Sequence, residues 1–279
     1  MKTILKTAAL QLALALLGLA MVYPIVWLAL SAFKTNQEIF GSIRLLPKVF
    51  DPSGFVNGWR GSGQYTFATF YRNSLLLVGG TVAATIASST LVAYGFARFN
   101  FRFRNVLFIL MLSTMMLPTA VVVIPRFIMF RTVGWINTYL PFIVPAALAA
   151  HSFFIFMLVQ FFRGIPTELD ESAFLDGCGS MRILLRIILP LAKPALVSAA
   201  LFKFIWTWND FFDSLIYINS VKRYPVSLAL KMVLDINTSI VNWNQVIAMA
   251  VLAMVPSIVV FFVSQRSFVE GIATTGIKG

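Results

Sequence analysis

The sequence is poor in charged side chains and in the residues that usually bind metals. Only 11% of its 279 residues are charged, against roughly 25% in an ordinary soluble domain. This deficit, together with a hydrophobic fraction of 59%, excludes a typical water-soluble globule. The single cysteine, Cys178, excludes an intramolecular disulfide, and with one histidine, His151, the chain has no cluster suited to zinc. We therefore predict no catalytic residues and no metal ligands.

The sequence also lacks a nucleotide-binding loop. No G-x-x-x-x-G-K-[ST] segment occurs, and this is the pattern that cradles the phosphates of ATP. The chain is therefore expected to bind no cofactor itself. A net charge of +12 would suggest nucleic acid in a soluble protein, but here the basic residues lie mostly between apolar segments. We assign them to loops near lipid headgroups, and predict membrane lipid, not nucleic acid, as a partner.

What the sequence does contain is a series of long uncharged segments. A helix needs about 20 residues to cross roughly 30 Å of hydrocarbon, and five segments without a charge are long enough. A sixth is interrupted by Lys203, Asp210 and Asp213, and intramembrane charges usually mark function. We predict an all-α membrane protein with one transmembrane domain over residues 1–279. Its six spans are predicted at about 8–33, 73–97, 105–126, 139–162, 194–217 and 244–265.

Two connections between the predicted spans are long, residues 34–71 and residues 163–193. Six spans place both chain termini on the same side of the membrane. Basic residues are divided almost equally between the two sides, but the short loop with Arg98, Arg102 and Arg104 favours cytoplasmic termini. Residues 34–71 then form a long external loop.

The connection 163–193 begins with a helix-start signal, Pro166-Thr167 followed by three acidic residues. Acidic side chains at this position complement the positive end of the helix dipole. The pattern predicts a short helix from about Glu168 to Asp176, capped by the Thr167 side chain and ended by Gly177. From composition alone, an interfacial amphipathic helix without a partner is the alternative.

The spacing within this connection resembles a known family signature. It runs Glu171-Ser172-Ala173, then three residues to Gly177, then nine to Ile187-Ile188-Leu189-Pro190. This is similar to the E-A-A-x3-G-x9-I-x-L-P pattern of permease subunits in bacterial ATP-binding-cassette (ABC) importers, with Ser172 in place of the usual alanine. The resemblance implies the type I importer permease fold, with a cytoplasmic coupling helix over 168–178 between the fourth and fifth spans. The residues it assigns to coupling with the ATPase are Glu168, Leu169, Asp170, Glu171, Ser172, Ala173, Phe174, Asp176 and Gly177.

Other motifs resemble the carbohydrate branch of this family, in particular its second, maltose-type permease. They are Asn73-Ser74, Trp208-Asn209-Asp210 and the terminal segment from Phe268 to Gly279. The resemblance implies import of a sugar or oligosaccharide across the bacterial cytoplasmic (inner) membrane, with ATP and Mg²⁺ held by partner subunits. It also implies three kinds of protein partner: a second homologous permease, two copies of a cytoplasmic ATPase and an extracytoplasmic sugar-binding protein.

Polar and aromatic residues of the fifth span are predicted to line the substrate pathway. They recur at intervals of three or four, which would place them on one helical face, and aromatic rings beside hydrogen-bonding groups suit a sugar. An aromatic belt at the outer interface is the alternative. The predicted pathway residues are Lys203, Trp206, Asn209, Asp210, Asp213 and Tyr217. We expect Lys203 to snorkel or to pair with a carboxylate, and His151 to form a hydrogen bond between helices.

Three other functions remain open at this point. An ion-coupled secondary transporter would need buried carboxylates or a histidine relay, for which only Asp210 and His151 are candidates. An intramembrane enzyme would need a catalytic constellation that the spans do not contain. A permease for another polar solute, such as an amino acid or a metal, would share the loop signature. The external loop 34–71 is expected to contact the sugar-binding protein, since aromatic residues are enriched where protein surfaces meet; a plain linker is the alternative.

Overall fold

The structure is a computed structural model and describes residues 2–61, 64–235 and 242–276. Within those residues every regular element is helical. In chain order the α-helices are α1 (Lys2–Ser31), α2 (Asn36–Gly41), α3 (Ser53–Arg60), α4 (Phe67–Arg98), α5 (Arg104–Thr114), α6 (Thr119–Thr132), α7 (Leu140–Ala147), α8 (Ser152–Gly164), α9 (Glu168–Leu175), α10 (Ser180–Ile183), α11 (Leu189–Leu191), α12 (Lys193–Trp208), α13 (Phe212–Tyr217), α14 (Val226–Asp235) and α15 (Trp243–Gly276). The end of the C-terminal motif, residues 277–279, lies outside the described residues.

Among the described residues, four helical segments are long and apolar enough to cross a membrane. They are Lys6–Ser31, Phe67–Arg98, Leu140–Gly164 and Trp243–Gln265. Two further helix pairs meet the same criteria together but are sharply bent. α5 and α6 meet at 99°, and the segment Ser180–Leu191 meets α12 at 79°. The chain is therefore a multi-pass membrane protein, with six crossings if each bent pair counts as one.

Proline accounts for both bends. α5 ends at Thr114, and Pro118 stands immediately before α6; a proline disfavours helical dihedral angles at the residue that precedes it. In the second bend Pro190 and Pro194 lie on either side of Ala192, and neither proline has an amide hydrogen to donate. The predicted span 105–126 consequently corresponds to two helices, not to one straight helix.

The chain divides into two compact units, of which the first comprises residues 1–69 and 229–255. In this unit the predicted external loop contains two short helices, α2 and α3, beside the start of α15. The ring of Phe33 stacks on Phe50 with centroids 4.3 Å apart. A Cβ on Gly54 would lie only 2.0 Å from the side-chain oxygen of Asn244, so glycine is required for this close approach.

The second unit comprises residues 70–228 and 256–279 and contains every residue assigned above to coupling or to the substrate pathway. One apolar cluster joins α4, α8, α9 and the helices that follow α9; its buried members include Ala93, Leu158, Phe162, Ala173 and Leu184. A smaller cluster contains Leu77, Phe130, Phe142, Tyr217 and Ile218. These two clusters position α9 and a cavity between the helices of this unit.

Candidate functional site

The short helix predicted from about Glu168 to Asp176 is present as α9, from Glu168 to Leu175, so the position of this helix is confirmed, while its coupling role stays a prediction. Its N-terminal cap differs from the prediction. Within the described chain the Thr167 side chain makes no capping hydrogen bond, and the Thr167 backbone carbonyl accepts the amides of Asp170 at 2.9 Å and Glu171 at 3.1 Å. Thr167 already has helical dihedral angles, φ −72° and ψ −22°, whereas a side-chain cap needs an extended residue. The predicted Thr167 side-chain cap is therefore wrong.

Gly177 ends α9 for a conformational reason. Its φ is +79°, in the left-handed region that residues with a Cβ disfavour. The Gly177 amide donates to the Phe174 carbonyl at 3.0 Å, and the Cys178 amide donates to the Ala173 carbonyl at 2.9 Å. This pair of bonds is the Schellman arrangement. An added Cβ would meet no described atom within 4 Å, so the dihedral angle, and not a lack of space, favours glycine.

The outer surface of α9 is both apolar and acidic. Phe174 and Leu175 are 69% and 88% exposed, although Ala173 beside them is buried in the core. Exposed polar and acidic residues surround this apolar patch, namely Glu168, Glu171, Ser172 and Asp176. Large apolar side chains that a chain leaves exposed within a polar rim indicate an interaction surface.

Asp170 is the acidic residue of α9 that faces inward. Its Oδ2 lies 2.6 Å from Nε of Arg98 at the end of α4, and the two side chains are 18% and 6% exposed. Nη2 of Arg98 also donates to the Ile165 carbonyl at 3.0 Å. Burial raises the pKa of Asp170, and the Arg98 guanidinium offsets part of that rise. Asp170 therefore attaches α9 to α4 instead of contributing to the exposed acidic surface.

A cavity of about 680 Å³ lies within the second unit. Its volume falls within the range of ligand pockets, about 300–1,000 Å³. Helices α4, α6, α7 and α12 contribute to its walls, together with the loop that follows α12. Its titratable and hydroxyl lining includes Thr81, Arg126, His151, Lys203, Asp210 and Asp213. A cavity with this many polar groups can bind a polar solute inside a membrane protein.

Four of the six predicted pathway residues line this cavity, namely Lys203, Trp206, Asp210 and Asp213. The single helical face expected from their spacing is wrong, because α12 ends at Trp208 and α13 begins only at Phe212. The break turns the chain between Asn209 and Phe211. Beyond residue 208, helical periodicity therefore no longer predicts which side chains share a face.

Asn209 and Tyr217 are the two predicted pathway residues that do not line the cavity. The Asn209 side-chain amide donates to the Ile205 carbonyl at 2.9 Å. The Tyr217 ring packs against Phe130 and Phe142, with centroid distances of 5.3 and 5.8 Å. Since both phenylalanines do line the cavity, Tyr217 supports its wall from behind.

Lys203 pairs with His151, and within the described residues it forms no ion pair with a carboxylate. The Lys203 Nζ lies 3.0 Å from His151 Nε2, and the lysine side chain is buried. An ammonium group can only donate hydrogen bonds, so with Lys203 protonated His151 accepts at Nε2 and keeps its proton on Nδ1. His151 lies in the short connection between α7 and α8, in which Ala149 has φ +58°. The expected hydrogen bond of His151 is confirmed, and the expected carboxylate partner of Lys203 is wrong.

Sequence reasoning missed Arg126, which stood only at the boundary of an uncharged segment. The sharp bend before α6 brings this residue to the cavity, together with Thr119 at the start of the same helix. Pro118 and Pro125 were the available signal. Such prolines are common in membrane helices, so they did not identify α6 as part of a site.

Comparison with known proteins identifies the family. A family model described as "binding-protein-dependent transport system inner membrane component" matches residues 79–274. The chain belongs to this family, which is one of transport permeases and not of enzymes.

Individual relatives are similar over nearly the whole chain. The probable ABC transporter permease protein YurM of Bacillus subtilis is 31% identical over 94% of this chain and 85% of its own. The arabinooligosaccharides transport system permease protein AraQ of the same species is 31% identical over 97% and 95%. The trehalose/maltose transport system permease protein MalG of Thermococcus litoralis is 27% identical over 99% and 98%.

A solved structure also resembles this chain. It is the crystal structure of a bacterial ABC transporter involved in the import of the acidic polysaccharide alginate. One of its chains matches with a TM-score of 0.83 and 23% identity, over 95% of this chain and 96% of that chain. The all-helical importer permease fold expected from the loop signature is confirmed.

Proposed function

We propose that this chain is one of two membrane subunits of an ATP-driven importer for a sugar or oligosaccharide. Family membership and the sugars named for AraQ and MalG support this. The observation on which the proposal chiefly depends is α9, a short helix with a sharp glycine end and an exposed apolar and acidic surface. The proposed partners are a homologous permease, two copies of a cytoplasmic ATPase that hold ATP and Mg²⁺, and an extracytoplasmic sugar-binding protein.

In this proposal α9 receives force from the ATPase. The chain has no phosphate-binding loop of its own, so energy from ATP must reach it through contact with another subunit. Glu168, Glu171 and Asp176 would pair with basic residues of that subunit. Leu169, Phe174 and Leu175 would enter an apolar cleft on it, as large side chains do at the centre of protein interfaces. Both chain termini would then lie in the cytoplasm, on the same side as α9.

The cavity is the proposed contribution of this subunit to the translocation pathway. Sugar hydroxyls both donate and accept hydrogen bonds, so the carboxylates of Asp210 and Asp213 and the ammonium of Lys203 can all bind them. Trp206 provides an apolar plane for a sugar ring. Its ring is held 5.0 Å from Phe153 and 5.3 Å from Phe154, yet the side chain remains 49% exposed.

Site-directed cross-linking in the assembled transporter tests the proposal. Only Cys178 must first be replaced, by alanine, since the chain has one cysteine. A cysteine at Leu175, the most exposed of the large apolar residues of α9, should then cross-link to the ATPase subunit. Ile43 of the long loop, which is 98% exposed, provides the matched control. A cysteine there should react with a membrane-impermeant reagent from outside and should not cross-link to the ATPase. External labelling at 175, or the absence of any ATPase cross-link there, would refute the proposal.

A further inference from the structure

The C-terminal end of α4 contacts the chain before, within and after α9. Before α9, Nη2 of Arg98 donates to the Ile165 carbonyl at 3.0 Å. Within α9, Nε of Arg98 lies 2.6 Å from Oδ2 of Asp170. After α9, the hydroxyl of Tyr94 donates to the Ser180 carbonyl at 3.2 Å. Together these contacts hold α9 against the last turn of α4.

The backbone connections on both sides of α9 contain glycines. The chain enters α9 from α8 through Gly164 and leaves it towards α10 through Gly177 and Gly179. Glycine has the widest range of backbone dihedral angles, so these connections can bend. A short ion pair between a buried arginine side chain and a largely covered aspartate side chain leaves less freedom for relative movement.

The other end of α4 is fixed to a different segment of the second unit. The Asn73 side-chain amide donates to the carbonyls of Lys222 at 2.8 Å and Tyr224 at 3.0 Å. The Val226 amide donates to the hydroxyl of Ser74 at 2.8 Å. Asn73 and Ser74 are both buried. Between Asn73 and Arg98 the helix is continuous and about 38 Å long at 1.5 Å per residue, so it links the contacts at its two ends through one element.

The middle of α4 forms part of the cavity. Thr81 lines the cavity wall, and the neighbouring turns pack closely on α7. A Cβ on Gly80 would lie 2.9 Å from Cδ1 of Ile143, and the hydroxyl of Ser88 donates to the Ala146 carbonyl at 2.6 Å. Because α7 also lines the cavity, a displacement of α4 moves two of its walls.

We infer that Arg98 is a positioning residue that couples α9 to α4 through Asp170, so that movement of the coupling helix displaces the cavity wall at Thr81. This inference rests on the proposed function, because α9 must receive the force that α4 transmits. Arg98 does not line the cavity, and its side chain is only 6% exposed. Arg98 determines how much of a displacement of α9 is transmitted through α4 to the cavity wall.

The test measures movement of the cavity wall directly. In the assembled transporter with Cys178→Ala, Thr81→Cys places a thiol on the wall, where the native side chain is only 1% exposed. Its rate of modification by methanethiosulfonate ethylammonium is compared with and without ATP and vanadate. The parent should show a difference of about fivefold or more, the lower end of ordinary allosteric coupling. Arg98→Gln and Asp170→Asn should each abolish this difference.

A charge swap and a neighbouring arginine provide the controls. Arg98→Asp combined with Asp170→Arg recreates the ion pair in reverse and should restore part of the nucleotide response. Arg102→Gln removes an exposed arginine four residues away and should leave the response unchanged. Asp170→Asn is nearly isosteric, so it keeps the test valid if Arg98→Gln fails to fold. The inference is overturned if the parent shows no response, if the single variants retain it, or if the swap does no better than they do.

The cross-link at residue 175 separates this inference from the proposed function. If Leu175→Cys still cross-links to the ATPase in the Arg98→Gln background while the wall no longer responds, both are supported. If the cross-link forms and Arg98→Gln leaves the wall response intact, only the inference fails. If no cross-link forms even with Arg98 present, the proposed function itself fails.

Discussion

Two glycines near the end of α9 allow a test in which only a backbone dihedral angle differs. Gly177 has φ +79°, whereas Gly179, two residues later, has φ −74°. Neither position would bring an added Cβ within 4 Å of any atom in the described part of the chain. Alanine at either site therefore adds the same methyl group without a steric clash.

The expected cost follows from this difference. A left-handed conformation costs a residue with a Cβ about 1–2 kcal/mol, so Gly177→Ala should weaken the Schellman end of α9 by that amount. Gly179→Ala should cost the end of α9 nothing through its dihedral angles, which suit alanine, and its cost as the N-cap residue of α10 falls on that helix instead. A loss of about 1–2 kcal/mol corresponds to roughly a 5–30-fold increase in the population of the opened helix end.

Hydrogen exchange of the segment around Cys178 measures this opening in the purified complex. The amides at 177 and 178 should exchange about 5–30 times faster in Gly177→Ala and at the parent rate in Gly179→Ala. Gly177→Asn should lie between them, because asparagine tolerates the left-handed region better than alanine. Equal exchange rates in the two alanine variants would show that the positive φ is not what makes glycine necessary at position 177.

Two further predictions concern the external loop and the cavity. Gly54→Ala would force a Cβ to within 2.0 Å of the Asn244 side chain and should reduce the yield of monodisperse protein in gel filtration. Gly41→Ala, where an added Cβ meets no described atom within 4 Å, should leave the yield unchanged. Equal yields of the two variants would contradict the close packing of α3 on the start of α15. Trp206→Ala should lower sugar uptake by reconstituted transporter without dissociating the subunits, because it removes the aromatic plane at the cavity wall. Unchanged uptake would reject the cavity as part of the pathway.

Local signals were sufficient to predict the coupling helix. The acidic first turn and the glycine at 177 lie within about ten residues of each other, and both act through neighbouring backbone groups. Helix position and helix end could therefore be inferred without knowing what surrounds them. The predicted side-chain cap at Thr167 was wrong because the type of a residue does not determine its backbone dihedral angles, which are helical at Thr167.

The cavity could be predicted only in part. Lys203, Trp206, Asp210 and Asp213 were found because charged and aromatic residues are unusual in an apolar segment. The helix break after Trp208 removed Tyr217 from the expected face, and the side chain of Asn209, predicted beside that face, bonds to the Ile205 carbonyl instead of lining the cavity. Periodicity cannot reveal such a break, since the same spacing fits a straight helix and a bent one.

Composition and apolar segment length were enough to predict a membrane protein with several spans, and short motifs were enough to predict an importer permease with a short helix after the fourth span, because each of these properties depends on residues close together in the chain. The pairing of His151 with Lys203, and of Arg98 with Asp170, joins residues 52 and 72 positions apart. Such contacts arise only when distant helices pack, and many partners satisfy the same hydrogen-bonding chemistry equally well. The folded chain alone therefore established which charges face the cavity and which one anchors the coupling helix.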